Sequence, residues 1–275
     1  MVPASWPGDG TRKTLARGFN AQVLRGILAT GMLLATLAWG AEPEAGKPYG
    51  YTDTALLPGT SWHVHDPTRP LPPVVTPGPF VPSPAPSDAV VLFNGKDLSK
   101  WAEVKDDTLT NDSFNIQQTG EIHTRQEFGD CQLHVEWVIP ANREGDWATW
   151  GNSGVYLLGL YEIQIIQTDI YADGITGALY GQVPPLARAM RPPGEWQSYD
   201  IVFEAPRFDA EGKLKSPAYV TVFLNGVLVQ HHSAAIGPTR HRDLATYDNK
   251  ATRGPVLLQY HGSAVRFRNI WIRPL

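Results

Sequence analysis

The sequence predicts an all-β fold, a sandwich or barrel, on three observations. From residue 88 onward, short apolar runs alternate with polar residues at period two, the period of a pleated strand. Turn residues separate the runs at steady spacing, among them Asn94-Gly95, Asp173-Gly174 and Asn225-Gly226, dipeptides of the kind hairpins use. No convincing amphipathic helix and no repeat of fixed period interrupts them. In chain order, strands are expected over residues 89–93, 132–139, 155–158, 161–166, 199–204, 219–224, 256–260 and 265–272. The clearest hairpin is Asn225-Gly226, between 220–224 and 227–230.

Length and composition bound the function. The chain's 275 residues suffice for one sizeable all-β core. Nine Trp, nine Phe and ten Tyr exclude a largely disordered chain. Cys131 stands alone, so a disulfide scaffold is excluded and its simplest role is that of a small buried residue. A net charge of −4 argues against nucleic acid, whose binders carry a basic excess.

Two segments precede the strands. Residues 1–40 read as an export signal: Arg12, Lys13, Arg17 and Arg25 precede an apolar run over 27–38, and Ala38 and Gly40 place small residues before a cut at Ala41. The run is shorter than the ~20 residues of a membrane span, so cleavage and a periplasmic or secreted protein with no stable span are expected. Without those 40 residues the chain has 19 basic and 26 acidic residues, a net of −7. Residues 41–87 form a Pro-rich linker or arm, with ten prolines from Pro58 to Pro86 and no helical or strand period. Within it, Trp62-His63-Val64-His65-Asp66 could contact a metal or sugar, although an ordered arm along the main domain is the simpler expectation.

Strand parity sorts side chains by face. His134 and Glu136 lie opposite Leu133, Val135 and Trp137; Glu162 and Gln164 lie opposite Tyr161, Ile163 and Ile165. Gln259 and His261 alternate with Leu258 and Tyr260, and Arg266 and Arg268 with Val265 and Phe267. Four strands carrying Glu, Gln, His and Arg with little Lys suggest a binding face.

Several segments resemble a known family in order. They are Val91-Leu92-Phe93-Asn94-Gly95-Lys96-Asp97-Leu98-Ser99-Lys100-Trp101, Glu136-Trp137, Gly151-Asn152-Ser153-Gly154-Val155-Tyr156 and Tyr161-Glu162-Ile163-Gln164. Gly194-Glu195-Trp196-Gln197-Ser198-Tyr199-Asp200, Gln259-Tyr260-His261-Gly262 and Arg266-Phe267-Arg268-Asn269-Ile270 complete the series. Over residues 88–275 the chain is similar to the 3-keto-disaccharide hydrolase domain family, which implies a concanavalin A-like jelly roll. Leu158 and Gln167 depart from the pattern, standing where Arg and Asp often occur. The resemblance implies cleavage of a glycoside oxidised at C3. The ketone acidifies the C2 proton, so a base can expel the C1 substituent by elimination before water adds back. A separate oxidoreductase would supply the keto-sugar.

Such chemistry needs a base, an acid and a donor to the keto oxygen. Glu136 and Glu162 are the foremost candidates, each weighed against an ion pair with Arg266 or Arg268. His134 and His261 are further acid–base candidates, the latter beside Gly262 where loops begin. Asn152, Ser153, Gln164, Tyr180, Gln259, Arg266 and Arg268 are expected sugar contacts, and Trp101, Trp137 or Trp196 could stack on a ring, with core packing favoured for Trp137. A divalent metal is an open option, since His134, Glu136, Glu162 and His261 offer suitable ligands without any short-range metal-binding spacing. Two other functions compete: a non-catalytic carbohydrate-binding module on the same fold, and an ordinary glycosidase with Glu136 and Glu162 as its carboxylate pair.

Overall fold

The computed structural model describes residues 49–142 and 147–275; residues 1–40, expected to be an export signal, and the first residues of the expected arm lie outside them. In chain order the elements are β1 (Val90–Phe93), β2 (Trp101–Ala102), β3 (Leu109–Thr110), β4 (Ser113–Asn115), α1 (Ile116–Thr119), β5 (Ile122–Thr124), β6 (Cys131–Val138), β7 (Ser153–Leu157) and β8 (Tyr161–Ile165). They continue with β9 (Gln197–Glu204), β10 (Arg207–Phe208), β11 (Leu214–Ser216), β12 (Tyr219–Leu224), β13 (Val227–Ala234), β14 (Leu257–Leu258) and β15 (Arg266–Pro274). An eight-stranded antiparallel sheet runs β13-β12-β9-β6-β15-β4-β3, with β1 also on β15, and a five-stranded sheet runs β2-β5-β14-β7-β8. The two form the expected jelly-roll sandwich. Among the described residues no helix is long and apolar enough to cross a membrane.

Alternation explains the layers. Leu133, Val135 and Trp137 of β6, Tyr199, Ile201 and Phe203 of β9, and Phe267 of β15 turn inward. They meet Val155 and Leu157 of β7, Tyr161, Ile163 and Ile165 of β8, and Leu258 of β14. Contacts across the sandwich include the Tyr161 and Phe203 rings, 5.6 Å apart, and the Tyr199 hydroxyl, which donates to the Gln164 carbonyl at 2.5 Å. Trp101, Trp137 and Cys131 are buried in this core, and burial pushes the Cys131 thiol up to about 12.

Turn chemistry divides. Asn225 and Gly226 both take positive φ, 55° and 80°, as a two-residue hairpin between β12 and β13 requires. Asp173-Gly174 instead lies in a 3₁₀ turn, Ala172–Gly174, and Asn94-Gly95 follows β1, whose partner is the distant β15. All three dipeptides therefore lie where the chain turns, as expected, and only Asn225-Gly226 closes a hairpin: Asn and Gly permit a turn, but strand pairing decides whether a hairpin results. The arm packs closely, burying Leu57, Val64, His65 and Asp66, and Val74 bridges to Arg188.

Candidate active site

The outward face of the five-stranded sheet carries a buried carboxyl. Register pairs Gly154 with Gln164 and Tyr156 with Glu162, so parity sends all four away from the core. Glu162 is only 3% exposed. Gly154 makes its position possible: a β-carbon there would stand 2.4 Å from Glu162 Oε1. The Gln259 amide donates to the Tyr156 hydroxyl at 3.1 Å, and Tyr156 in turn bonds the Glu162 carboxyl. Burial raises Glu162 to about 8 against the Tyr156 bond, so its neutral acid form prevails at neutral pH.

Histidine and tyrosine rings stand beside it. Backbone bonds from Gln164 to Ala178 and from Tyr180 to Glu162, both 3.1 Å, extend the sheet past β8 and put Tyr180 next to Glu162. The Tyr180 hydroxyl lies 3.1 Å from His241 Nδ1, and the Tyr51 hydroxyl from the arm lies 3.4 Å from His241 Nε2. Burial, then the neighbouring His65, Arg242 and His261, hold His241 below the ordinary imidazole value despite Asp243. The pair therefore has a carboxyl held protonated and an imidazole held neutral, the combination that assigns acid and base. Toward the other side, Asn152 donates to His261 Nδ1 at 3.3 Å and to the Ala148 carbonyl at 2.6 Å.

A second polar cluster occupies the outer face of the eight-stranded sheet. His134 donates to Asp200 at 2.7 Å, and its Nε2 lies 3.6 Å from Glu136. Arg268 and Asn269 donate to Glu136 at 2.6 and 2.7 Å. A β-bulge between Arg268 and Trp271, with Asn269 at φ 43°, lets consecutive residues of β15 converge there. The Arg268 guanidinium covers Trp196 at 3.9 Å, while Asn269 and Trp271 both donate to the Ser83 carbonyl of the arm at 3.0 Å. Burial favours neutral Glu136, but bonds from His134, Asn269 and Arg268 outweigh it and hold the carboxyl below its ordinary value. This is an ion network that clasps the arm.

The expected site residues thus divide. Glu162, Gln164, Tyr180, Gln259, Asn152 and His261 belong with the five-stranded sheet and its loops. His134, Glu136 and Arg268 belong to the opposite layer, as does Arg266, which donates to Ser113 and Thr110. The single polar face expected from four strands is therefore two faces, because parity fixes a side chain's face but not its sheet. Glu136 and Glu162 point away from the core on opposite sides, which removes them as a carboxylate pair flanking one bond; such pairs stand ~5–9.5 Å apart. The proposed four-ligand metal set is divided in the same way, and no cluster of three or more His, Cys, Asp or Glu is found among the described residues. Ser153 turns inward and donates to the Gln259 carbonyl at 2.7 Å, so it supports the strand pairing. Gln164 bends back to accept from the Ile165 amide at 2.9 Å. Residue type and spacing do not single out His241, Tyr156 or Tyr171; Tyr156 lies in the Gly151–Tyr156 segment, whereas His241 lies on an irregular stretch with no period.

Solved structures share the fold. A crystal structure from Parabacteroides distasonis ATCC 8503, provisionally described as a glycosyl hydrolase, is 40% identical, covers 83% of this chain and 100% of its own, and superposes with a TM-score of 0.66. Another from that organism, with the same provisional description, is 22% identical, covers 68% and 99%, and has a TM-score of 0.52, a likeness of fold. No curated protein matches. The family described as the 3-keto-alpha-glucoside-1,2-lyase-like domain matches residues 88–273, from the strand before Asn94 through the sheet that carries Glu162 to the end of β15; the chain belongs to this family.

Proposed function

We propose that the protein is a carbohydrate-active enzyme that cleaves glycosides oxidised to a ketone at C3, by elimination across C1–C2. The observation that carries this reading is Glu162, a carboxyl held neutral near pH 7 on the outward face, beside Tyr180 and the neutral His241. Family membership and the relative's glycosyl hydrolase description support action on a glycoside. His241 takes the C2 proton and Glu162 gives its proton to the glycosidic oxygen. The C2–H and C1–O bonds break, the C1–C2 double bond forms, and the aglycone leaves as an alcohol. Tyr180 donates to the keto oxygen as negative charge gathers there. Asn152 and Gln259 hold hydroxyls. Proton return from His241 to Glu162 resets the pair, and hydration of the unsaturated sugar completes net hydrolysis. The charged, apolar and small-residue order of residues 1–40 supports a reaction outside the cytoplasm, with a separate oxidoreductase supplying the ketone.

The test compares a disaccharide with its 3-keto form, with and without a chelator. Release of the leaving sugar from the keto form alone is expected. Equal release from the parent would replace elimination with ordinary hydrolysis, and release from neither, with retained binding, would leave a binding module. Loss on chelation would add a metal that the division of His134 and Glu136 from Glu162 and His261 does not identify.

A further inference from the structure

The arm places one residue among the site's rings whose environment calls for explanation. His65 is fully buried, upstream of the family-matched residues 88–273. Its ring lies 4.5 Å from Tyr171 and 4.7 Å from Tyr180, between centroids, and 5.6 Å from His241. Its backbone amide donates to Asp173 Oδ2 at 2.9 Å, and its Nδ1 stands 3.5 Å from Asp173 Oδ1. Among the described residues neither ring nitrogen completes a hydrogen bond, nor does Asp173 Oδ1. Such orphaned polar groups are rare in a core and concentrate where a structure does work. A coil lying passively along a domain would not insert a polar ring there. The 40%-identical relative aligns over 83% of the chain, more than residues 88–275 alone supply, so its match extends into the upstream residues as well.

Resting on the elimination reading, we infer that the arm is a wall of the active site and that His65, tethered by Asp173, is a positioning residue that sets the Tyr180–His241 pair for proton transfer. The His65 ring packs against that of Tyr180, whose hydroxyl meets His241 Nδ1, while Tyr51 of the same arm meets His241 Nε2. The arm thus holds both nitrogens of the base, one directly and one through Tyr180. Around His65 stand Asp173 from the 3₁₀ turn, Tyr171 and Tyr180 from the segment beyond β8, Tyr51 from the arm, and His241; Arg69 faces Asp173 and Asp66, and Arg242, His261 and Asp243 act on His241.

The experiment uses the full chain with His65→Gln and, because a buried substitution can impair folding, the isosteric Asp173→Asn. Two readouts are taken: kcat/KM against pH on a 3-keto-disaccharide, and the His241 titration followed by NMR without substrate. The expected result is a kcat/KM loss of about 10–100-fold, carried mostly by kcat, with the His241 titration and the acid limb moving to higher pH in His65→Gln and displaced from the wild-type position in Asp173→Asn. His65→Asn, whose amide nitrogen reproduces Nδ1 toward Asp173, recovers part of kcat. An unmoved His241 titration in a folded variant overturns the inference. A wild type inactive on the keto-sugar overturns the elimination reading instead, and the substrate-free titration still decides whether His65 sets His241.

Discussion

Gly154→Ala should disable the site with only a modest loss of stability. A β-carbon at Gly154 would stand 2.4 Å from Glu162 Oε1 and 3.0 Å from its Cδ and Cγ, whereas ordinary contact begins near 3.4 Å. The carboxyl oxygen must therefore retreat by about 1 Å, and a displacement of that size costs about 100-fold in rate. Overpacking costs ~1–3 kcal/mol and the better strand propensity of Ala returns ~0.5–1, leaving a net loss between about 0 and 2.5 kcal/mol. For a chain of this size that lowers the melting temperature by at most ~10 °C. Steady-state kinetics on the 3-keto-disaccharide beside a thermal melt reads both quantities. A folded variant with wild-type kcat would refute the placement of Glu162 at the reacting centre.

Three further outcomes follow from the charges. Glu162 has a folded value near 8 against an ordinary 4.5, so its contribution to stability is full below about pH 4.5 and is lost as pH rises through 8; Glu162→Gln should be flat across this window in urea melts while losing activity. His241 sits below its ordinary 6.5, so kcat/KM should rise with pH through a limb below that value and fall as Glu162 ionises; His241→Gln should erase the acid limb. Glu136→Ala strands Arg268 and His134, so it should cost about 3–5 kcal/mol in a denaturant melt with kcat retained.

The layers were legible because burial writes a period of two. Residues 219–224 coincide with β12, and 161–166 and 132–139 fall within a residue of β8 and β6. Strands of two or three residues, such as β2, β3 and β10, carry too little alternation to be read. Glu162 and Glu136 look alike in sequence because each alternates with apolar neighbours. What separates them is sheet membership: β8 pairs only with β7 among the named strands, whereas β6 lies between β9 and β15. Arg268 and Asn269 reach Glu136 through a bulge that no period announces. His65 and His241 sit on irregular chain and meet Tyr180 across long sequence separations, 61 residues for His241; the Trp62–Asp66 segment drew notice to His65 by residue type, but nothing local tied either histidine to Tyr180.

The most direct test of elimination follows a 3-keto-disaccharide deuterated at C2 of the ketosugar through the first turnovers, by mass spectrometry and by rate. Proton abstraction by the enzyme predicts a primary isotope effect on leaving-group release and a ketosugar product without the label, after correction for uncatalysed exchange. Release at an unchanged rate with the deuterium retained at C2 would mean that the C1–O bond breaks without C2 proton removal, and the roles given to His241 and Glu162 would fall.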